Sequence, residues 1–150
     1  MPTANCGYPD PKIGPGLLVQ LGPSLWVNIG FDPTYKPDSN KPPKPGIANV
    51  EALVDTGADE SCIDSLLAAQ LKLPVVDQRL LRGVHGIRSV NMHVAQVHIP
   101  ALKFTQYGQF AAVDLAGGGQ RLKALIGRTL LRHFTMVYEG RTGVVTISTI

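Results

Sequence analysis

The chain has 150 residues, a net charge of +3 at pH 7, an apolar fraction of 44% and two cysteines. This length fits one domain with its own core, and the ordinary charge content indicates a globular protein. The charge is small and unclustered, apart from Lys41 and Lys44 in a proline-rich stretch, which argues against a nucleic-acid partner.

No apolar run approaches the roughly 20 residues of a membrane span. Residues 1–15 contain no apolar signal-peptide core. The sequence does not determine the compartment, but these features favour a soluble, cytoplasmic protein without a membrane partner. Cys6 and Cys62 do not form a disulfide framework, and His93 and His98 are an odd number of positions apart, so on one strand they face opposite ways. We expect neither a metal nor another cofactor.

The sequence predicts an irregular segment over residues 1–15, followed by a domain over residues 16–150. Strands are predicted at Leu17–Leu21 and Leu25–Ile29, each ended by glycine. Residues 31–46 contain five prolines and are predicted to form an exposed connection. Ile47–Val54 returns as a strand, which predicts a hairpin with a long tip.

After residue 59 the hydrophobic period becomes helical. One face of a short helix is predicted from apolar residues at i, i+3, i+4 and i+8, which are Ile63, Leu66, Leu67 and Leu71. Ser61 and Asp64 are candidate caps. Further strands are predicted at 75–76, 90–99, 110–115 and 124–126, with a short helix within 128–134 and a hairpin formed by 135–138 and 144–150. The pattern predicts a mainly β fold, a small closed β-barrel-like domain with one or two short helices.

The most informative stretch is the apolar run that ends at Asp55-Thr56-Gly57. A carboxylate at the end of a buried strand is costly unless hydrogen bonds compensate. Gly57 has no Cβ, so its backbone N–H can approach the carboxylate of Asp55, and Thr56 adds a fixed hydroxyl. This arrangement holds an acid rigidly, as acid–base catalysis requires.

The segment from Ala52 to Asp59 resembles the active-site loop of the retropepsin-like aspartic proteases, the single-lobe enzymes of retroviruses and their cellular relatives. A second match, Leu125-Ile126-Gly127-Arg128-Thr129-Leu130-Leu131, resembles the segment before the C-terminal helix of that family. The resemblance implies that Arg128 forms an ion pair with Asp59. The added C-terminal hairpin is more similar to cellular and bacterial members than to the compact retroviral enzymes.

A third feature, Gly83-Val84-His85-Gly86-Ile87, lies where that family carries the flap, a hairpin that closes over bound peptide. Its two glycines permit a tight tip whose amides reach a substrate. The resemblance implies catalytic roles for Asp55, Thr56 and Gly57. It also implies that the flap residues contact the substrate, together with Ala58, Asp59, Leu125 and Ile126. Gly127 and Arg128 are implied to support the site structurally.

Aspartic proteolysis needs two carboxylates that share one proton, because like charges so close cannot both ionise. Only Asp55 precedes Thr-Gly in this chain. The second acid must therefore come from an identical chain, so the sequence predicts a homodimeric aspartic endopeptidase that acts on an extended peptide. Two alternatives stay open: a non-proteolytic peptide-binding or dimerisation module on the same scaffold, and the self-releasing protease segment of a larger polyprotein.

Overall fold

A computed structural model describes residues 1–83, 86–115 and 121–149. Its strands are β1 (Thr3–Asn5), β2 (Ser24–Gly30), β3 (Ile47–Val54), β4 (Cys62–Asp64), β5 (Val75–Gly83), β6 (Gly86–Ile99), β7 (Phe104–Val113), β8 (Ala124–Ile126), β9 (Phe134–Glu139) and β10 (Val144–Thr149). Its helices are α1 (Gly14–Leu21), α2 (Ser65–Gln70) and α3 (Arg128–Leu131), with a 3₁₀ turn at Pro100–Leu102.

Six strands close into a barrel in the order β2-β3-β8-β4-β7-β6, with β6 returning to pair with β2. β5 extends the sheet as a hairpin with β6, from Val75↔His93 to Gly83↔Gly86. The interior contains small and branched side chains that are fully buried, among them Val27, Ile29 and Ala124. The prediction of a mainly β, closed barrel-like fold is confirmed, and the described part of the chain contains three short helices rather than one or two.

The long strand β6 is buried on both faces over its second half, as the side chains of Met92, Ala95, Gln96 and Val97 show. Both edges of this half of β6 are paired, one with β2 and one with β7, and side chains on both of its faces are buried. This explains why the apolar residues of this segment change parity along the sequence.

A second, three-stranded sheet has the order β1-β10-β9. The predicted C-terminal hairpin is confirmed, and its buried residues Val145 and Ile147 join the barrel core. The prediction that residues 1–15 are irregular is wrong at Thr3–Asn5, because this segment pairs with β10 from Thr3↔Ser148 to Asn5↔Thr146. Short polar segments with little periodicity give no sequence signal for such an added edge strand.

The prediction of a strand at Leu17–Leu21 is wrong, because these residues end helix α1. Pro15 lies in the first turn, where its missing N–H costs nothing. The helix ends at Gly22, whose φ is 72° and whose N–H donates to the carbonyl of Leu18 at 3.0 Å. Leu18 is buried while Val19 is exposed, so only one stripe of this apolar run faces the core.

The predicted helix after residue 59 is confirmed but begins later, at Ser65, and Ile63 lies in β4. Asp64 caps it, since its Oδ2 accepts the N–H of Leu67 at 3.3 Å. Ser61 does not cap this helix and instead contacts the segment after β8. Leu66, expected on the buried face, is exposed.

The proline-rich connection between β2 and β3 is fixed at its base by Gln96, whose side chain is buried. Gln96 Oε1 accepts the N–H of Asp32 at 2.7 Å, and its Nε2 donates to the carbonyl of Asp32 at 3.1 Å. The Asp32 carboxylate accepts N–H groups from Lys44 and Thr34 and the Thr34 hydroxyl. These bonds lower the pKa of the Asp32 carboxyl, and the bond from the Lys44 N–H contributes most. The predicted hairpin with a long tip is therefore present, and its tip is hydrogen-bonded.

Candidate active site

The Asp55 carboxylate lies where β3 leaves the barrel. Val54 is buried and pairs with Ile126, and the N–H of Asp55 continues this ladder by donating to the Ile126 carbonyl at 2.9 Å. The chain then turns, and the N–H of Gly57 donates to Asp55 Oδ1 at 2.9 Å. A Cβ on Gly57 would lie 3.1 Å from that oxygen. The short distance from Gly57 to the carboxylate therefore favours glycine at this position.

Asp55 is half-buried, whereas Thr56 and Gly57 are exposed. The carboxylate is thus fixed on one side by its own chain and open on the other. An acid held in this way can exchange protons with a bound molecule or with water.

The loop of residues 55–61, named here the site loop, packs directly on the segment that follows β8. The N–H groups of Arg128 and Thr129 donate to the carbonyls of Ala58 and Asp59 at 2.8 and 3.0 Å. At Gly127, a Cβ would lie 2.6 Å from the carbonyl oxygen of Glu60 and 2.9 Å from that of Ala58. Only glycine lets the two backbones approach so closely.

Ser61 and Thr129 join the same two segments through their side chains, and the sequence did not indicate this role for either. Ser61 is buried, its N–H donates to Thr129 Oγ1 at 3.1 Å, and its Oγ accepts the N–H of Gly127 at 2.9 Å. The one available signal was a serine in front of an apolar segment, which is equally typical of a helix cap.

The expected ion pair between Arg128 and Asp59 is not formed between these two described residues. Arg128 Nη1 instead donates to the carbonyl of Thr56 at 2.7 Å, and Asp59 Oδ1 accepts the N–H of Glu60 at 2.8 Å. A guanidinium carries several donors, so it can hold a loop through a backbone oxygen as well as through a carboxylate. Arg128 still reaches the site loop, at Thr56 rather than at Asp59.

A cleft of about 580 Å³ separates the site loop from the β5–β6 hairpin. It brings together predicted site residues from three segments, which are Gly57, Ala58 and Asp59 of the site loop, Gly83 and Gly86 of the hairpin, and Leu125 of β8. Gly86 has a φ of 108°, which glycine adopts without strain. Val84 and His85, predicted to form the flap tip, lie outside the described residues.

Two predicted contact residues lie elsewhere. Ile126 is buried in the barrel core, and Ile87 is exposed without lining the cleft. The cleft has further walls that the sequence did not indicate, among them Leu81, Arg88 and Val113. Their positions depend on strand pairing, which the sequence alone did not determine.

Arg79 ties the base of the hairpin to the site loop. Its Nη1 lies 3.1 Å from Glu60 Oε1, its Nε lies 3.5 Å from Asp77 Oδ2, and its Nη2 donates to Gln109 Oε1 at 3.3 Å. One side chain therefore joins β5, the site loop and β7.

Cys62 lines the cleft but is nearly buried. Burial first, and then the negative charges of Glu60, Asp59 and Asp55, raise the pKa of its thiol to about 12. The thiol is thus protonated at neutral pH, and the thiolate is the nucleophilic form. Cys62 is not a nucleophile in this site.

The two histidines considered as metal ligands are bound within the fold. His93 Nδ1 lies 2.9 Å from the carbonyl oxygen of Leu73, and His98 Nδ1 lies 2.8 Å from Thr105 Oγ1. Burial lowers the pKa of His98. Over the described ranges, no three metal-ligating side chains are grouped closely enough to hold an ion. The helices within those ranges include none long and apolar enough to cross a membrane.

A family model described as aspartyl protease matches residues 46–130, more than half of the chain. The chain belongs to the aspartyl protease family. The matched range contains the site loop, the β5–β6 hairpin and the segment after β8, which are the parts brought together around the cleft. No match was found among curated protein sequences.

Solved structures that are similar to this member of the aspartyl protease family include two proteases. A retropepsin-like aspartic protease from Rickettsia conorii has 14% sequence identity and a TM-score of 0.50, over 97% of this chain and 90% of that one. The EIAV protease complexed with the inhibitor HBY-793 has 17% identity and a TM-score of 0.46, over 73% of this chain and 85% of that one. The similarity to the Rickettsia protein shows that the fold is the retropepsin fold.

Proposed function

We propose that this protein is an aspartic endopeptidase whose active site is completed by a second copy of the chain. The observation that carries the proposal is the carboxylate of Asp55, fixed by the N–H of Gly57 at 2.9 Å in the loop that forms one wall of the cleft. The cleft is bounded on its other side by a hairpin whose strands pair up to Gly83↔Gly86. An extended peptide bound between loop and hairpin would lie beside the acid.

The chemistry needs a second carboxylate next to Asp55. The sequence has one Asp-Thr-Gly motif, so the second acid would be Asp55 of an identical chain related by a two-fold axis. One carboxylate, ionised, takes a proton from water, and the other, protonated, polarises the carbonyl of the scissile peptide bond. The pair titrates as a unit, and we expect activity to be highest at acidic pH, where the shared proton is retained.

Asp55 itself lines a depression separate from the cleft, and this depression offers a place for the partner. Asp55 and Thr56 line this depression of about 480 Å³ together with Pro23 and two residues of β9, Met136 and Tyr138. β9 is an edge strand of its sheet, and Tyr138 is more than half exposed. Paired contacts in this region would bring two copies of Asp55 towards each other.

The proposed roles follow from these positions. Asp55 of each chain carries the proton transfers, the N–H of Gly57 fixes it, and Thr56 would hydrogen-bond across the two-fold axis. Ala58, Asp59 and Leu125 contact the peptide. Gly127 and Arg128 hold the site loop in place. The flap residues, including Val84 and His85, would close over the substrate.

The test is peptide cleavage by the wild type and by Asp55→Asn, with the mass of each in solution. We expect a dimer that cleaves a mixed peptide library at acidic pH, inhibition by pepstatin, and no cleavage by a folded, dimeric Asp55→Asn variant. Asp38→Asn, the same chemical change at an exposed residue of the proline-rich connection, is the control for handling and fold.

Three outcomes separate this proposal from its alternatives. Cleavage that survives in Asp55→Asn contradicts the proposal. Peptide binding without cleavage by the wild type favours the non-proteolytic module instead. New chain ends, found by mass spectrometry when this chain is expressed within a longer polypeptide, identify self-release.

A further inference from the structure

Two arginines lie on the same face of the β5–β6 hairpin, and they have different surroundings. The register pairs Arg79 with Val90 and Leu81 with Arg88. Directly paired residues of antiparallel strands share a face, and so do residues two apart on one strand. Arg79 and Arg88 therefore point the same way.

This face is turned towards the site loop. Arg79 shows the direction, since its Nη1 lies 3.1 Å from Glu60 Oε1. Closer to the tip, Leu81, Arg88 and Val90 all line the cleft. The Arg88 guanidinium thus lies over the space that an extended peptide would occupy.

Arg79 is engaged within the protein, whereas Arg88 is not part of any ion pair found in the described ranges. Below it, the floor of the cleft includes the apolar side chains of Ala58, Val113 and Leu125. The acids that line the cleft have partners of their own: Glu60 pairs with Arg79, Asp59 Oδ1 accepts the N–H of Glu60, and Asp114 also interacts within the protein.

We propose that Arg88 makes this protease selective for peptides that carry an acidic side chain close to the scissile bond. This inference rests on the proposed function and adds a substrate class to it. When the hairpin covers a bound peptide, water is displaced from around Arg88, and a guanidinium left without a partner there is unfavourable. A glutamate or aspartate of the substrate supplies a carboxylate that binds a guanidinium bidentately, while the apolar floor takes the neighbouring side chains.

The experiment starts from a peptide that the wild type cleaves and replaces each position near the cleaved bond by glutamate, glutamine or lysine. Reactions are run at pH 5–6, where the substrate glutamate is ionised. At one position, glutamate should raise kcat/KM over glutamine by about tenfold or more, the range of a hydrogen bond to a charged group. Arg88→Gln should remove this preference, and Arg88→Glu should invert it in favour of lysine. Because Arg88 is exposed in the free chain, both variants should fold.

Arg82→Gln is the matched control. Arg82 also lines the cleft, but it is paired with Ile87, so it projects from the opposite face of the hairpin. The Arg82→Gln variant loses the same charge from a neighbouring part of the cleft rim, and we expect it to keep the preference for glutamate. If Arg82→Gln removes the glutamate preference and Arg88→Gln keeps it, the proposal is overturned.

Asp114, which also lines the cleft, provides a second decisive outcome. If the wild type shows no preference and Asp114→Asn creates one, the charge on Arg88 is satisfied within the protein and the proposal fails.

Binding of labelled glutamate and glutamine peptides to Asp55→Asn separates this inference from the proposed function. Preferential binding without any cleavage by the wild type refutes the protease but supports Arg88, whereas cleavage without preference refutes Arg88 alone.

Discussion

A single methyl group at Gly127 should disturb the candidate site more than any larger change on the surface. In Gly127→Ala, the new Cβ would lie 2.6 Å from the carbonyl oxygen of Glu60, 2.8 Å from its carbonyl carbon and 2.9 Å from the carbonyl oxygen of Ala58. All three are backbone atoms and cannot rotate away. The site loop must therefore move, and we expect the free energy of unfolding to fall by about 1–3 kcal/mol, the range for overpacking.

The loss of activity should exceed the loss of stability. A shift of the site loop displaces the Asp55 carboxylate, and a misplacement of about 1 Å at a reacting group can cost on the order of 10²-fold in rate. Urea unfolding gives the stability, and kcat/KM for a cleaved peptide gives the activity. Both should be measured at one protomer concentration, because a dimer's stability depends on concentration.

Gly16→Ala is the control for this change. Gly16 lies in helix α1, and a Cβ there meets nothing within 4 Å. Alanine is favoured over glycine in a helix, so the variant should gain about 0.5–1 kcal/mol and keep full activity. If Gly127→Ala is as stable and as active as Gly16→Ala, the close approach of site loop and β8 segment does not position the acid.

Three further changes test other parts of the site. Ser61→Ala removes the acceptor of the buried Gly127 N–H and should lower the free energy of unfolding by about 1–3 kcal/mol in urea, whereas the exposed Ser89→Ala should change little. Cys62, with a thiol pKa of about 12, should resist iodoacetamide at pH 8 until the protein is denatured, and rapid labelling of the folded protein would contradict its burial. The Asp32 carboxyl has a lowered pKa, so its stabilisation is present above the unfolded pKa and lost as pH falls through the folded pKa; the protection of the amides of residues 31–46, taken relative to their intrinsic exchange rates at each pH, should fall in acid, and unchanged protection would refute this.

The sequence predicted those parts of the fold in which pattern and chemistry coincide in a few consecutive residues. β3 and β8 are short apolar runs that end at Asp55 and Gly127, and both end at the candidate site. The C-terminal hairpin was equally clear, because a polar, glycine-containing turn separates two strand-like runs. In contrast, the segment Leu17–Leu21, in which four of five residues are apolar, fits a strand and a helix equally well, and the proline that favours the helix precedes it.

The contacts that hold the site together were harder to predict, because they join residues far apart in the sequence. Ser61 and Thr129 are separated by 68 positions, and Arg79 and Glu60 by 19. Each has an ordinary local interpretation as a cap or a solvated charge. Arg88 was missed for the same reason: its place over the cleft follows from the register of β5 and β6, and a shift of one residue would have turned it away.

The shape of the site loop and the chemistry proposed for it have different origins. The N–H of Gly57 and the carbonyl of Ile126 fix Asp55, and Gly127 and Arg128 fix the loop around it, all within one chain. A second copy is therefore not needed to form the loop; in the proposed function it would supply only the second carboxylate. A protomer separated by dilution should keep its barrel and its ordered loop while losing the pair that shares a proton.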